Sequence, residues 1–263
     1  MALHHHRTID RIATILEHAA RHPRGTRLTE FVSALEASKS SVQTLVSGLV
    51  ASGYLVEQEH KYFIGPALLV LTLMAGPTVM QGMSHEQVVA LHKELGYNVL
   101  VGVRVGDTLV YVDQAGEGPI IEFLAYSHRR RPLLTTATGK VILAHLPPGE
   151  LQGILGEAEQ HNPKEVERFL LELPSIQRTA LAYNIEATIP GLFAVATILR
   201  NRQGRLIGGV CINGDLQMEG NLEDIGARLL CAVRAWENAE VEVEVGTSII
   251  NGDMAPTLGK NRD

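Results

Sequence analysis

The feature that most constrains this chain is a change of hydrophobic period near residue 54. Before it, apolar residues recur every three or four positions. Over residues 7–20 Ile9, Ile12, Ala13, Leu16, Ala19 and Ala20 form one stripe of a 3.6-residue period, and Pro23 and Gly25 end it. Leu28, Phe31, Val32 and Leu35 form a second, shorter stripe. After the break at Glu36-Ala37, Ser38 is placed to cap a third helix. The inner face of that helix is Val42, Leu45, Val46, Leu49 and Val50, with Gly53 as its C′ residue. Two β-rich runs follow, residues 54–56 and 61–64 around 57–60, and predict a hairpin. Three helices and a hairpin make a winged helix, with the second and third helices as a helix-turn-helix.

The outer face of the third helix is informative. Ser40, Gln43, Thr44 and Ser47 repeat the helical spacing with Lys39 beside them, and no Glu/Lys pairs appear. Short, uncharged donors and acceptors suit base edges in a major groove; a plain solvated face is the alternative. Arg24, Arg27 and Lys39 are the phosphate candidates. The wing tip, residues 58–61, has no glycine and one firm positive charge, Lys61, so modest phosphate contact is expected there. The expected DNA interface is therefore Arg24, Arg27, Ser38, Lys39, Ser40, Gln43, Thr44 and Lys61. The net charge of −6 argues against a protein that coats nucleic acid. Residues 1–75 carry +1 and the remainder −7, so the reading head is nearly neutral and needs two paired copies to sum its contacts.

Residues 67–74 continue as an apolar helix until Gly76-Pro77 interrupts. Leu68, Leu71, Met74 and Ala75 are too apolar for an exposed spacer; they predict packing on a second copy or on the downstream region. The expected organisation is a winged helix-turn-helix over 1–65, a linker helix over 66–83, an effector domain over 84–245 and a flexible tail over 246–263. Within the effector domain a helix at 84–95 precedes alternating Val99, Val101, Val103 and Val105. Gly106-Asp107 fits a II′ hairpin turn back to 109–113. A third strand is expected at 120–126, and a last hairpin at 193–199 and 206–212. Helices are expected at 136–146, 148–155 and 163–183, the last broken at Pro174, and at 222–239. The fold class is α+β, an antiparallel sheet flanked by helices.

With these residues in place, the run from Arg7 to Leu71 resembles the DNA-binding domain of IclR-family transcriptional regulators. The resemblance is carried by Leu28-Thr29-Glu30-Phe31, Lys39-Ser40-Ser41-Val42, Leu45, Leu49, Gly53-Tyr54-Leu55 and Tyr62-Phe63-Ile64-Gly65-Pro66. Thr44 stands where the family often has arginine, which implies a different operator. Residues 131–140, Arg-Pro-Leu-Leu-Thr-Thr-Ala-Thr-Gly-Lys, and the span from Gly191 to Gly214 are similar to the two landmarks of the family's effector domain. The resemblance, covering about residues 7–240, implies a GAF-like effector-binding domain, a homodimer or dimer of dimers, double-stranded operator DNA as partner, and a small-molecule effector. It places the pocket at Ala137, Thr138 and Gly139, whose helix start offers N–H groups to an anion. It further places the pocket at Asn184 (aspartate in well-known members), Leu192, Ala194 (cysteine there), Cys211 and Asn213 (serines there). Phe123 and Ala125 would line the apolar side. The changes leave a roomier, less acidic pocket and point to an aromatic or otherwise larger carboxylic acid.

Several chemistries find no residues. There is no P-loop, no G-x-G-x-x-G after a strand, no H-E-x-x-H and no C-x-x-C. Cys211 and Cys231 read as buried apolar residues. His128 with Arg129–Arg131 reads as a charged turn, with a cross-subunit salt bridge or a pocket gate as the alternative for Arg130 or Arg131. His4–His6 read as a loose tail or tag remnant, with a metal-binding tract as the alternative. No catalytic residue, metal or cofactor is expected. The longest apolar run, 66–75, is too short to span a bilayer, and the N-terminus lacks a signal-peptide core, so a reduced, cytoplasmic chain is expected. Two other classes remain open: a metabolite sensor acting through protein contacts, and a small-molecule enzyme on the C-terminal domain.

Overall fold

The computed structural model describes residues 6–75, 83–118, 129–186, 190–201, 203–217 and 221–250, with side chains to residue 237. The chain divides into two compact units, one over Leu3–Gln81 and one over Gly82–Asp263 with Met1–Ala2.

The first unit holds α1 (Arg7–Arg21), α2 (Leu28–Leu35), α3 (Lys39–Ala51), β1 (Leu55–Gln58), β2 (Lys61–Ile64) and α4 (Ala67–Ala75). The three helical stripes meet in one core in which Ile15, Phe31, Val42 and Val46 are fully buried and Leu55 nearly so. Each such side chain contributes about 1.5–3 kcal/mol by leaving water. The end of α3 follows its sequence signal. Gly53 has φ +76°, Tyr54 N donates to Leu49 O (2.9 Å) and Gly53 N to Val50 O (3.0 Å), the paired bonds of a Schellman cap. β1 and β2 are antiparallel, and Thr26 bridges to Tyr62 to widen the wing. At the wing tip Glu59 (φ 50°) and His60 (φ 58°) both adopt the left-handed region. A two-residue hairpin turn of this kind is usually built from Asn and Gly.

The second unit is a six-stranded antiparallel sheet in the order β5-β4-β3-β8-β7-β6. Its strands are β3 (Asn98–Val105), β4 (Thr108–Ala115), β5 (Arg131–Pro132), β6 (Leu181–Ile185), β7 (Leu192–Arg200) and β8 (Leu206–Asp215). Gly106 turns β3 into β4 with φ +65° while Asp107 keeps a negative φ, as a II′ turn requires. One face packs α6 (Ala137–Ala144), α7 (Pro148–Glu159) and α8 (Pro163–Thr179). The other packs α5 (His85–Leu95) and α9 (Leu222–Ile250). The sheet is thus covered on both sides, and the unit is α+β as its hairpins predicted.

Three expectations need correction. Residues 181–185 are an edge strand rather than the end of the preceding helix: α8 stops at Thr179, Ala180 takes a left-handed φ of 57°, and Leu181 pairs with Thr197. Pro174 does not break α8. It lies on the exposed face, and Leu170, whose carbonyl loses its partner, is exposed too, so the loss falls where solvent can reach. The closing helix runs past Ala239 to Ile250, into the segment expected to be tail. No proline stands between, and a single Gly246 costs a helix only about 1 kcal/mol. The third strand expected at 120–126 lies outside the described residues, as do residues 251–263 of the expected tail.

Candidate functional site

The first candidate surface is the outer face of α3. Ser38 accepts the Ser41 N–H (3.4 Å) and fixes where the helix begins. With Val42, Val46 and Leu49 turned inward, Lys39, Ser40, Gln43, Thr44 and Ser47 are exposed together. Gln43 Nε2 donates to Ser47 Oγ (3.2 Å). The Thr44 hydroxyl donates back to Ser40 O (3.0 Å), and the Ser38 and Ser40 hydroxyls lie 3.4 Å apart. The face is therefore an internally bonded set of hydroxyls around one long carboxamide. Gly48, one turn past Thr44, adds a feature that composition did not single out. A Cβ built there meets nothing within 4 Å. Glycine costs about 1 kcal/mol relative to alanine in a helix interior, and no contact within the chain requires it.

Arg24 and Arg27 are exposed on either side of the Thr26 bridge. Arg27 N–H donates to the Glu30 carboxylate (2.6 Å), which holds the first turn of α2. Lys61 Nζ donates to Arg24 O (3.4 Å), which ties the lysine at the wing tip to the backbone of the loop before α2.

The second candidate surface is the α6 side of the sheet. Register alone settles which strand residues share it. Asn184 pairs with Ala194, Ala194 with Asn213, and Asn213 with Asn98, so the four lie in one row across β6, β7, β8 and β3. Leu192 and Cys211 fall on the same face, two residues along their strands from Ala194 and Asn213. Asn184 Nδ2 donates to Thr135 O (2.6 Å), which ties the row to the turn before α6. Asn213 is 6% exposed and Asn184 8%. Asn98 was not foreseen; its Oδ1 accepts from Glu117 N (3.1 Å), at the end of β4. An asparagine opening an apolar strand was the available signal.

The start of α6 is less open than the sequence implied. Thr136 Oγ1 accepts the Gly139 N–H (3.1 Å) and donates to Pro132 O (3.0 Å), so one of the helix-start amides is already capped. All eight residues of α6 are buried, and Thr138 is fully so, its hydroxyl beside Tyr111 and Cys211. Burial pushes the Cys211 thiol up to about 12 and raises the Tyr111 phenol as well. Cys231 is exposed rather than buried, because it falls on the outer side of α9. Lys140, 6% exposed, reaches Glu172 (2.5 Å) and Tyr183 O (2.5 Å). It lines a groove of about 620 Å³ between α8 and β6, with Arg168 and Asn184. Arg130 braces the β3–β4 turn by donating to Val105 O (3.2 Å) and Thr108 Oγ1 (3.1 Å); Arg131 opens β5, and His128 of the expected charged turn lies outside the described residues. Phe123 and Ala125 lie outside the described residues. Among the described residues no His/Cys/Asp/Glu cluster could hold a metal, and no helix is long and apolar enough to cross a membrane.

A helix-turn-helix unit joined to a helix-flanked antiparallel sheet is a known combination, and family models match both parts. The IclR helix-turn-helix domain matches residues 8–59, and the C-terminal domain of bacterial IclR transcriptional regulators matches 79–238, more than half the chain. The chain belongs to the IclR family. As an IclR-family protein it is a DNA-binding transcriptional regulator. It is 26% identical over 197 residues to the HTH-type transcriptional regulator TtgV of Pseudomonas putida, covering 73% of this chain and 75% of that one. It is 24% identical over 247 residues to a probable HTH-type regulator, ArcR, of Halobacterium salinarum, covering 90% and 92%. Among solved IclR-family structures, a Microbacterium hydrocarbonoxydans homologue complexed with 4-hydroxybenzoate superposes with TM-score 0.69 at 15% identity, covering 90% of this chain and 99% of the other. A regulator from Silicibacter gives 0.68 at 18% identity, with 96% and 100% covered. At these identities the structures establish the fold.

Proposed function

We infer that this protein is a cytoplasmic, homo-oligomeric transcription factor that reads a roughly palindromic operator through paired α3 helices and is switched by a small organic acid. The observation that carries the reading is the exposed, charge-poor hydrogen-bonding face of α3, with Arg24, Arg27, Lys39 and Lys61 as phosphate contacts. α4 supports pairing. It has no buried residue, and Leu69, Val70, Leu71, Leu73 and Met74 are all exposed, an apolar surface that a second copy would cover. Domain boundaries at 65–66 and 83–84 are part of the same reading.

The effector would lie over the row of Asn184, Ala194 and Asn213, with Leu192 and Cys211 beside it and the α6 start, Ala137 to Gly139, above. A carboxamide at Asn184 in place of an aspartate, and alanine at 194, favour a ligand with an apolar body and one polar end. An aromatic carboxylic acid has that form, and the 4-hydroxybenzoate bound by the Microbacterium homologue is of that class. Binding switches the protein by favouring one of two domain arrangements. Catalysis is not part of this reading. Burial raises the Cys211 thiol, which disfavours the thiolate a nucleophile needs.

Thermal unfolding across a panel of aliphatic and aromatic acids tests the ligand class. Stabilisation by RT ln(1 + [L]/Kd) should appear with aromatic acids and be lost in Asn213→Leu. Stabilisation by none of the panel, or equally in the variant, overturns the pocket. A mobility-shift titration with a palindromic fragment tests DNA reading.

A further inference from the structure

Within α3, Gln43 and Gly48 stand out from a surface otherwise made of Lys39 and short hydroxyls. Gln43 Nε2 is engaged by Ser47 Oγ at 3.2 Å, one turn on. That bond uses one N–H and leaves, on an exposed side chain, Oε1 and the other N–H to offer, an acceptor beside a donor. Adenine offers the complement in the major groove, its N6 amino group and N7; guanine offers two acceptors and cytosine a donor alone. Gly48 follows on the exposed surface, where an added Cβ would meet nothing within 4 Å. Glycine is the weakest helix former after proline, so only a surface outside the chain gains from it. Thr44, one turn earlier, spends its hydroxyl hydrogen on Ser40 O and likewise keeps the surface low.

We propose that Gln43, held in place by Ser47, reads an adenine in each operator half-site, and that Gly48 is the close-contact position that lets α3 seat against the DNA. This rests on the reading of α3 as the groove-entering helix and adds which base it selects and which residue sets its depth. Ser47 is a positioning residue: it acts by fixing the Gln43 carboxamide, not by contacting the base itself.

The test uses full-length protein and selection from a random duplex library, followed by anisotropy titration at one salt concentration. Wild type should select dA at one position of each half-site, and Gln43→Ala should select no particular base there. Replacing that dA with 7-deaza-dA removes the N7 acceptor; it should weaken wild type roughly 10-fold and leave Gln43→Ala unchanged. Ser47→Ala should keep the dA preference but narrow it roughly 3-fold, the loss of an ordering contact rather than of the reader. Gly48→Ala should melt at or above the wild-type temperature yet bind the selected operator roughly 10-fold more weakly, because nothing within the chain opposes the added methyl. The proposal is overturned if Gln43→Ala still selects the same base or if Gly48→Ala binds as tightly as wild type. A wild-type protein that selects no sequence overturns the reading of α3 beneath it, a separate and distinguishable failure.

Discussion

Helices α3 and α6 are built to almost the same local recipe and end in opposite places. Each starts at a hydroxyl cap, Ser38 or Thr136, that accepts the N–H three residues on. Each has no acidic residue in its first turn and carries an internal glycine and a lysine. Yet α3 exposes Lys39, Gln43, Thr44, Ser47 and Gly48, whereas every residue of α6 is buried. Local signals decide that a helix forms and where it begins. The layers packed on it decide whether its polar groups serve a partner or its own fold.

The two glycines give the largest contrast. A Cβ at Gly139 would stand 2.2 Å from Leu133 O and 2.5 Å from its Cα, backbone atoms that cannot turn aside. Gly139→Ala should cost about 3 kcal/mol in urea unfolding of the second unit. Gly48→Ala should instead stabilise the first by up to about 1 kcal/mol. Equal effects at the two sites would end the comparison.

The lysines come next. Lys140→Ala removes a buried cation from Glu172 and Tyr183 O and should destabilise by about 2–3 kcal/mol. Lys39→Ala should change stability by less than about 0.5 kcal/mol while weakening specific and random DNA alike. The caps differ less. Thr136→Ala, at a buried site where the hydroxyl makes two bonds, should cost about 2 kcal/mol, and Ser38→Ala about 1. Denaturant midpoints of the four variants rank these directly.

The smallest effect is a difference of sign with pH. In the first unit His18 is packed between His22 and Phe31, with ring centroids 4.3 and 5.6 Å away. Burial first, then the neighbouring His22, lowers its pKa. The unfolded chain therefore takes the proton first, and this unit should lose stability as pH falls below about 6.5. In the second unit His85 is hydrogen-bonded to Asp113 (2.9 Å), and that bond, then the carboxylate's charge, raises its pKa. Its contribution is present below about 6.5 and fades as pH rises through the higher folded value. Denaturation of His18→Phe and His85→Ala at pH 5.5 and 8 should show each slope flattened, in opposite senses.

Legibility followed the signals. α1, α2, α3 and the wing were readable because Pro23, Ser38 and Gly53 punctuate sharp stripes. β6 was not, because α8 ends at Ala180 in a left-handed conformation with no glycine to announce it. The strand then forms because Leu181–Ile185 finds β7 beside it. On the α6 face of the sheet, the motif at 131–140 marks the turn and helix, but Asn98 and Tyr111 join that face only through strand register and packing.

Three punctuated helical stripes and a change of period thus determined a winged helix whose third helix has a charge-poor outer face. Those are local effects, set by capping, proline and glycine within a few residues. Tertiary structure alone decided that Asn184, Ala194, Asn213 and Asn98 form one row. It alone buried Lys140 and α6 and left Gly48 bare. Such facts depend on pairing and layering between segments tens of residues apart, which no local propensity encodes.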